Sequence, residues 1–236
     1  MKKRNLSGEL AYALSILIMS LSVAVVAAAD FWVSMIVAPA YILSLKIHAL
    51  TFGQCEYIVQ GLLFIAFCLL MGRVKPLYFT SFLTCLLYGA ALDLWRALIP
   101  ALNPAVTAPG SMAMPIRILY FAAGTVVTAL AVAFCFKTYL YPQVYDFFVK
   151  GVSQRFRLDR TKFKTAFDGS CLAVSVLLTL LLFGGFRGIG VGTLITTCVN
   201  GPLIGFFDRW LDRHFTFEPR FPALAQRFSL EEEQNI

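Results

Sequence analysis

Six stretches of mostly apolar residues, each 18 to 23 residues long, constrain what this chain can fold into. An α-helix needs about 20 apolar residues to cross the hydrocarbon core of a bilayer. The stretches are continuous and do not alternate apolar and polar residues, which favours transmembrane helices over β-barrel strands. They are Leu10–Ala29, Cys55–Gly72, Pro76–Leu98, Ile116–Phe136, Thr165–Gly184 and Gly188–Phe207. The sequence therefore predicts an all-α polytopic membrane protein with six transmembrane helices.

The composition supports a lipid environment. Hydrophobic residues make up 59% of the 236 residues and charged residues 14%, whereas soluble domains average roughly 45–50% and about 25%. A water-soluble fold of this size could not cover its surface with so few charges, and the chain is too apolar to be disordered. The net charge of +7 comes from basic residues that flank the apolar stretches, so we do not expect nucleic-acid binding.

Lysine and arginine are unevenly distributed between the predicted loops. If the N-terminus is cytoplasmic, 16 of the 20 basic residues fall in cytoplasmic segments and 4 in exterior segments. This asymmetry predicts a protein of the bacterial inner membrane with both termini in the cytoplasm. One alternative stays open, because Lys2–Arg4, the first apolar stretch and Ala27–Ala29 also resemble a cleaved secretory signal peptide. The length of that stretch and the position of Glu9 argue against cleavage.

Two connecting segments are too apolar to be ordinary loops and too short or broken to span the membrane. The first contains the apolar residues 31–45 with Pro39 inside, and the second, residues 139–156, has Pro142 near its start. Segments of this kind are typical of re-entrant helices that enter the membrane and leave on the same side. Amphipathic helices on the membrane surface are the alternative.

The two halves of the chain repeat one plan: a span, a broken segment and two further spans. Because each half has an odd number of spans, the second half is expected to lie inverted in the membrane. Inverted repeats with discontinuous helices are characteristic of secondary transporters, whose binding sites lie where the repeats meet. The predicted units are a cytoplasmic N-terminus (1–9), repeat 1 (10–98), an exterior Pro-rich linker (99–115), repeat 2 (116–210) and a mobile cytoplasmic tail (211–236).

Several segments resemble the YczE/YyaS/YitT-type bacterial integral membrane proteins, in the branch without a soluble C-terminal domain. The resemblance is carried by residues 32–44, 50–53 and 163–168, and most specifically by 188–202. It implies a polytopic inner-membrane protein that is generally presumed to be related to transport. It also implies family positions at Asp93, Lys164 and Asp168, whereas Gln60 departs from the asparagine that relatives often carry there.

Asp168 and Lys164 are the foremost candidates for a substrate or ion site. They are four residues apart on one face of the predicted fifth span, and a carboxylate inside a membrane is costly unless it is paired or faces a cavity. A structural ion pair near the membrane surface is the alternative. Gln60 in the second span and Asp93 in the third are further candidates. Glu56, one turn before Gln60, is expected at the membrane surface, and Asp93 could instead form an interfacial ion pair with Arg96.

The sixth span carries a row of small and polar residues. Gly188, Gly192, Thr196 and Asn200 recur every four residues and Thr193 widens their face, so this face is predicted to bind solute or, through Gly188 and Gly192, to pack closely against another helix. Gly201 and Pro202 follow, and Pro202 has no amide hydrogen to donate to the carbonyl of Cys198. We expect a kink there and at Pro39 and Pro142.

These patterns together predict a secondary transporter of a small solute whose identity the sequence does not reveal. The alternative is a membrane-embedded substrate-capture, accessory or sensor protein that acts with a partner. No arrangement of catalytic residues is recognisable, so an enzyme is not expected. The six cysteines and two histidines are scattered, so neither a metal site nor a cofactor is predicted. The expected partners are the lipid bilayer and the solute, and formation of a homodimer is left open.

Overall fold

The computed structural model describes residues 3–31, 33–72, 74–108, 111–185 and 187–233, and at 160, 161, 194, 197 and 229–233 it describes the backbone alone. Residue 32 of the resembling segment lies outside these ranges. The described chain is almost entirely helical. Its helices are α1 (Gly8–Ala29), α2 (Ala38–Lys46), α3 (Phe52–Met71), α4 (Tyr78–Leu98), α5 (Met114–Cys135), α6 (Val144–Arg155), α7 (Arg160–Phe183), α8 (Val191–His214) and α9 (Pro222–Glu233), with a 3₁₀ turn at Pro100–Leu102.

The six predicted spans correspond to the six long helices α1, α3, α4, α5, α7 and α8, which have 20 to 24 residues each. Among the described residues, four of these helices are both long and apolar enough to cross a membrane, namely Gly8–Ala29, Phe52–Met71, Met114–Cys135 and Lys162–Phe183. Helices α4 and α8 also carry charged residues, namely Asp93 and Arg96 in α4 and Asp208, Arg209, Asp212 and Arg213 in α8.

The bundle differs from a soluble protein in having large apolar side chains on its outside and several polar side chains within its apolar interior. Large apolar side chains project outward from the helices, and Leu69 on α3 and Leu181 on α7 are 77% and 73% exposed. In contrast, the interior contains polar side chains; the fully or almost fully buried ones include Ser20, Ser22, Glu56, Gln60, Thr84, Ser175 and Thr179. An apolar outer surface and a partly polar interior are the arrangement expected of a protein in lipid, where every buried polar group must find a partner within the bundle.

Helices α1 and α5, the first helix of each half, pack side by side in opposite directions. At one end of the pair, Arg117 Nε donates a 2.9 Å hydrogen bond to the carbonyl of Ala29. At the other end of the pair, Tyr139 lies just after α5, and its hydroxyl donates a 2.7 Å hydrogen bond to the carboxylate of Glu9. A Cβ atom on Gly124, between these points, would lie 2.5 Å from Val26 Cγ2, so a glycine is needed for this close approach.

Each of these two helices has a parallel neighbour from its own half. Helix α4 lies beside α1, where Tyr12 and Thr84 share a 2.6 Å hydrogen bond and Trp95 Nε1 donates to the carbonyl of Leu17. Helix α8 lies beside α5. The two helices are parallel, because Gly192 lies next to Phe121 near their starts. Near their ends, the Lys137 ammonium is 2.7 Å from a carboxylate oxygen of both Asp208 and Asp212.

The two predicted broken segments form the short helices α2 and α6, each packed between α3 and α7. The expected kinks at Pro39 and Pro142 are absent from these two helices. Pro39 lies in the first turn of α2, where its missing amide hydrogen costs nothing, and Pro142 precedes the residue that caps α6. The re-entrant placement of both segments stays a prediction.

The C-terminal segment folds back onto the bundle, so the prediction of a mobile tail is wrong. Strand β2 (Phe215–Glu218) pairs in parallel with β1 (Arg4–Ser7), a small sheet that the all-α prediction lacked. Helix α9 follows, and its Phe228 is 3% exposed and packs against Tyr139 and Tyr141. We call the end of the bundle that holds this sheet the terminal end, and the opposite end, where Arg117 meets Ala29, the far end.

Candidate functional site

A cavity of about 1150 Å³ opens at the terminal end. Its walls come from the end of α5, the 136–142 connection, α6, α7, α8 and α9, and Met19 of α1 and Met35 add a wall from the first half. The charged residues on its walls are Asp146 and Lys150 of α6 and Lys164 and Asp168 of α7; Gly201 of α8 and Phe228 of α9 also line it. Among the described residues, α7 and α8 do not pack extensively against each other, and the cavity occupies the space between them.

Lys164 is bracketed by two carboxylates on the wall of this cavity. Its ammonium lies 3.3 Å from Asp146 Oδ1 and 3.7 Å from Asp168 Oδ1. The three side chains are partly exposed, between 23% and 43%. Asp168 Oδ1 is itself buried and has no hydrogen-bond partner among the described residues. The predicted pair therefore faces a cavity large enough for a small solute, and one carboxylate oxygen still has capacity to accept a hydrogen bond.

The polar residues of α8 lie apart from this charged cluster. The Thr193 hydroxyl donates a 2.8 Å bond to the carbonyl of Val33, and the Thr196 hydroxyl donates to the carbonyl of Thr193. Thr196 and Asn200 line a separate space of only about 20 Å³, roughly the size of one water molecule. Asn200 Oδ1 is buried without a hydrogen-bond partner among the described residues. The structure thus does not bring Thr193, Thr196 or Asn200 together with Asp168.

The glycines expected to share that helical face have different environments. Gly188 precedes α8 and has a left-handed backbone (φ +78°), and its Cβ would lie 2.7 Å from Ile42 of α2. A Cβ on Gly192 would collide with the backbone carbonyl of Phe31. Gly201, in contrast, borders the terminal-end cavity, and a Cβ there would meet no atom of the described chain within 4 Å. Pro202 lies inside an α8 that continues from Val191 to His214, so it does not end the helix.

Asp93 has a structural position at the start of α3. Its carboxylate accepts hydrogen bonds from the hydroxyl of Thr51 and from the backbone N–H of Gly53 at 2.9 Å, which satisfies a donor that the first turn of a helix leaves unpaired. Arg96 instead stacks over the ring of Phe52, 5.4 Å from its centre. The expected Asp93–Arg96 ion pair is absent among the described residues, although both side chains line a far-end cavity of about 580 Å³.

Gln60 belongs to a buried polar cluster between α3 and α6. Its Nε2 donates to Glu56 Oε2 at 2.9 Å and to Gln143 Oε1 at 3.0 Å, and its Oε1 accepts from the Val144 N–H at 3.2 Å. The Tyr145 hydroxyl also donates to Glu56 Oε2, at 3.1 Å. Glu56 and Gln60 are both completely buried.

Glu56 is the residue that sequence reasoning missed. The second apolar stretch begins at Cys55, which would leave Glu56 at the membrane surface. The helix begins at Phe52, after an N-terminal cap at Thr51, so Glu56 lies a full turn inside and faces the interior. The sequence did contain a signal for this inward position, because Glu56 and Gln60 are four residues apart and therefore lie on one helix face. No three His, Cys, Asp or Glu residues of the described chain converge as metal ligands would.

Comparison with known proteins identifies the family. The family of unknown function DUF6198 matches residues 6–209. The chain is also 27% identical to the uncharacterized protein YyaS of Bacillus subtilis (strain 168) over 216 residues, which cover 89% of this chain and 96% of that protein. The resemblance to the YyaS-type membrane proteins is thereby confirmed. No solved structure matches the chain.

Proposed function

This chain belongs to the DUF6198 family of unknown function, and on its structure we propose that it is a secondary transporter of a small solute, rather than an enzyme, with the solute bound between two inverted halves. The observation that carries the proposal is the terminal-end cavity of about 1150 Å³, whose wall holds the Asp146–Lys164–Asp168 cluster. Charged groups at membrane depth are costly and mark solute or ion pathways.

The helix contacts support the inverted repeat. Helices α1 and α5 are antiparallel, and each has its own parallel neighbour, α4 or α8. Each short helix packs both on the third helix of its own half and on that of the other: α2 contacts α3 and α7, and α6 contacts α7 and α3. Exchanging the halves maps these contacts onto one another. Two contacts are exceptions among the described residues: α3–α4 has no counterpart because α7 and α8 separate around the cavity, and α4–α6 has no counterpart between α8 and α2.

A six-span arrangement is consistent with the outer surfaces of α4 and α8. Leu98 on α4 and Val191 on α8 are 63% and 66% exposed, so both helices offer apolar side chains to lipid although their inner faces are polar. Six crossings return the chain to its starting side, as the β1–β2 pairing requires. The excess of Lys and Arg at that end supports a cytoplasmic position for the terminal end.

Two separate cavities favour a carrier over an open channel. The terminal-end cavity and the far-end cavity share no lining residue, and the buried cluster around Gln60 lies in the packed interior of the bundle. A carrier has one side open at a time, and the halves move relative to each other to expose the site alternately. In this arrangement the Asp168 carboxylate contacts the solute when the terminal end is open.

The test is solute flux into liposomes that contain the purified protein, with a panel of small cations, zwitterions and organic anions. Asp168→Asn is expected to abolish flux of the accepted solute, because the cavity loses a carboxylate. Asp212→Asn is the matched control, since Asp212 is 59% exposed and outside the cavity. Thermal stabilisation by a solute that never crosses the membrane would favour the capture role instead. Full flux in the Asp168→Asn protein would remove Asp168 from the site.

A further inference from the structure

Glu56 is a buried acid whose two oxygens have different environments. Oε2 accepts hydrogen bonds from Gln60 and Tyr145. Oε1 is equally buried but has no hydrogen-bond partner among the described residues. An ionised carboxylate offers about four acceptor positions over its two oxygens. Two of these acceptor positions receive a hydrogen bond, both on Oε2, and Oε1 receives none from the described residues.

The surroundings of Glu56 hold no compensating positive charge. No Lys, Arg or His of the described chain forms an ion pair with it. The titratable groups nearest Glu56 are Cys55 on α3, Cys85 and Tyr88 on α4 and Tyr145 on α6, with Cys171 of α7 beyond Tyr145 and Asp93 of α4 beyond Cys55. The thiols and phenols are uncharged in their ordinary protonated form, and Asp93 is an acid, so none of these groups supplies a positive charge. Tyr88 also has a buried hydroxyl without a partner in the described chain.

An ionised carboxylate without a positive partner is strongly disfavoured in such a setting, and a buried acid avoids this by binding a proton. We propose that Glu56 is a proton-binding site that couples solute movement to a proton gradient; this inference rests on the proposed transport function. In the closed protein a proton is bound to Oε1 and the carboxyl group is neutral. On opening, the O–H bond breaks, the proton passes to water and the carboxylate is left.

Helix α6 connects this acid to the cavity. Two adjacent α6 residues face the two sites: Tyr145 donates to Glu56, and Asp146 pairs with Lys164. Gln60 holds the start of the same helix through the Val144 N–H. A shift of α6 relative to α3 would therefore break the Glu56 contacts and move Asp146 together. Loss of the Glu56 proton would in this way change the position of Asp146 at the solute site.

The test is infrared spectroscopy of the purified protein in liposomes, which reads the C=O stretch of protonated carboxyl groups. At pH 7 and without solute, the wild type is expected to show an acid band that Glu56→Gln removes completely. Glu218→Gln is the matched control, because Glu218 is exposed, and it should keep the band. ¹³C-glutamate labelling of the wild type must shift the same band, which assigns it even if the Glu56→Gln protein does not fold.

Several outcomes would overturn the inference. A wild type without an acid band, or a band that survives Glu56→Gln unchanged, would show that Glu56 does not hold a proton. Loss of the band on replacing K⁺ by Na⁺ would assign the site to a metal cation. The band is measured without solute. A protein that shows the band but transports no solute would therefore contradict the carrier function, while Glu56 would still be a proton-binding site. Solute flux that is unchanged by an imposed pH gradient would contradict the coupling of solute movement to the proton.

Discussion

The side-chain oxygen of Gln60 accepts a 3.2 Å hydrogen bond from the backbone N–H of Val144, so a residue of the first half caps a short helix of the second. The first N–H groups of a helix have no partner within the helix, and α6 has no side-chain cap of its own. Gln60 therefore supplies a bond that α6 needs, and the same amide also binds Glu56. This one side chain therefore joins the two halves within a buried polar cluster.

Replacing Gln60 by leucine is expected to lower the free energy of unfolding by about 1–3 kcal/mol, because a buried donor and a buried acid lose their partner. The measurement is thermal unfolding of the detergent-purified protein. Gln154→Leu is the control, since Gln154 lies on α6 and makes no side-chain hydrogen bond that the structure describes. Equal melting temperatures for the two variants would contradict the capping role of Gln60.

The sequence was sufficient to predict the six long helices and the two short segments, because hydropathy and proline positions are local properties. The inward position of Glu56 also had a local signal, because Thr51 and Gln54 cap the start of α3 and Glu56 lies four residues before Gln60. The role of Asp93 had no such signal, because it binds the first turn of α3 at Gly53, 40 residues away. Local composition does not reveal a contact between residues so far apart in sequence. The sequence therefore suggests Asp93 as a residue of the substrate or ion site, whereas in the structure it binds the start of α3.

Gly53 and Gly201 should respond oppositely to alanine. A Cβ on Gly53 would collide with the backbone carbonyl of Gly89 and press on Asp93, so Gly53→Ala is expected to cost about 1–3 kcal/mol through overpacking. Gly201→Ala should be neutral or stabilising, because the position is open and alanine favours the helix by about 1 kcal/mol. The melting temperatures of the two variants check both expectations. A larger decrease in melting temperature for Gly201→Ala than for Gly53→Ala would contradict the described packing.

The ion cluster at the ends of α5 and α8 predicts a pH dependence. Burial lowers the pKa of Lys137, but hydrogen bonds and attraction to Asp208 and Asp212 raise it further, so the net pKa lies above the usual 10.5. A lysine with a raised pKa stabilises the fold fully below its unfolded value and loses this contribution as the pH rises through the folded value.

Lys137→Met should therefore lower stability by about 0.5–1 kcal/mol at neutral pH, discounted because both carboxylates are partly exposed. The difference between wild type and variant should shrink above about pH 10.5. Melting temperatures of both proteins from pH 7 to pH 11 provide the measurement. A difference that grows in the alkaline range would contradict the assigned cluster.

Phe228 covers part of the terminal-end cavity from α9, with its ring 4.9 Å from that of Tyr141. Phe228→Ala should uncover the cavity and raise, severalfold, the rate at which a polar maleimide labels a Gly169→Cys thiol on its wall. Phe221→Ala is the control, since Phe221 is 58% exposed. Unchanged labelling in the Phe228→Ala protein would show that α9 does not restrict access.

The folding back of this tail was missed for a physical reason. The segment after Arg213 carries a run of three glutamates, Glu231–Glu233, a pattern typical of a mobile segment. The tail is held instead by contacts distant in sequence, since the carboxylate of Glu9 accepts the backbone N–H groups of Arg220 and Phe221. Glu9 thus helps to hold a segment more than 200 residues away, together with the β1–β2 pairing and the packing of Phe228.

If the two halves are inverted, the two cavities open to opposite sides of the membrane. Site-resolved labelling with a membrane-impermeant maleimide tests this directly, using Ala105→Cys in the far-end cavity and Gly169→Cys in the terminal-end cavity. We predict that the cysteine at 105 reacts in intact cells and the cysteine at 169 only in inverted membrane vesicles. Reaction of both from the same side would contradict the inverted arrangement.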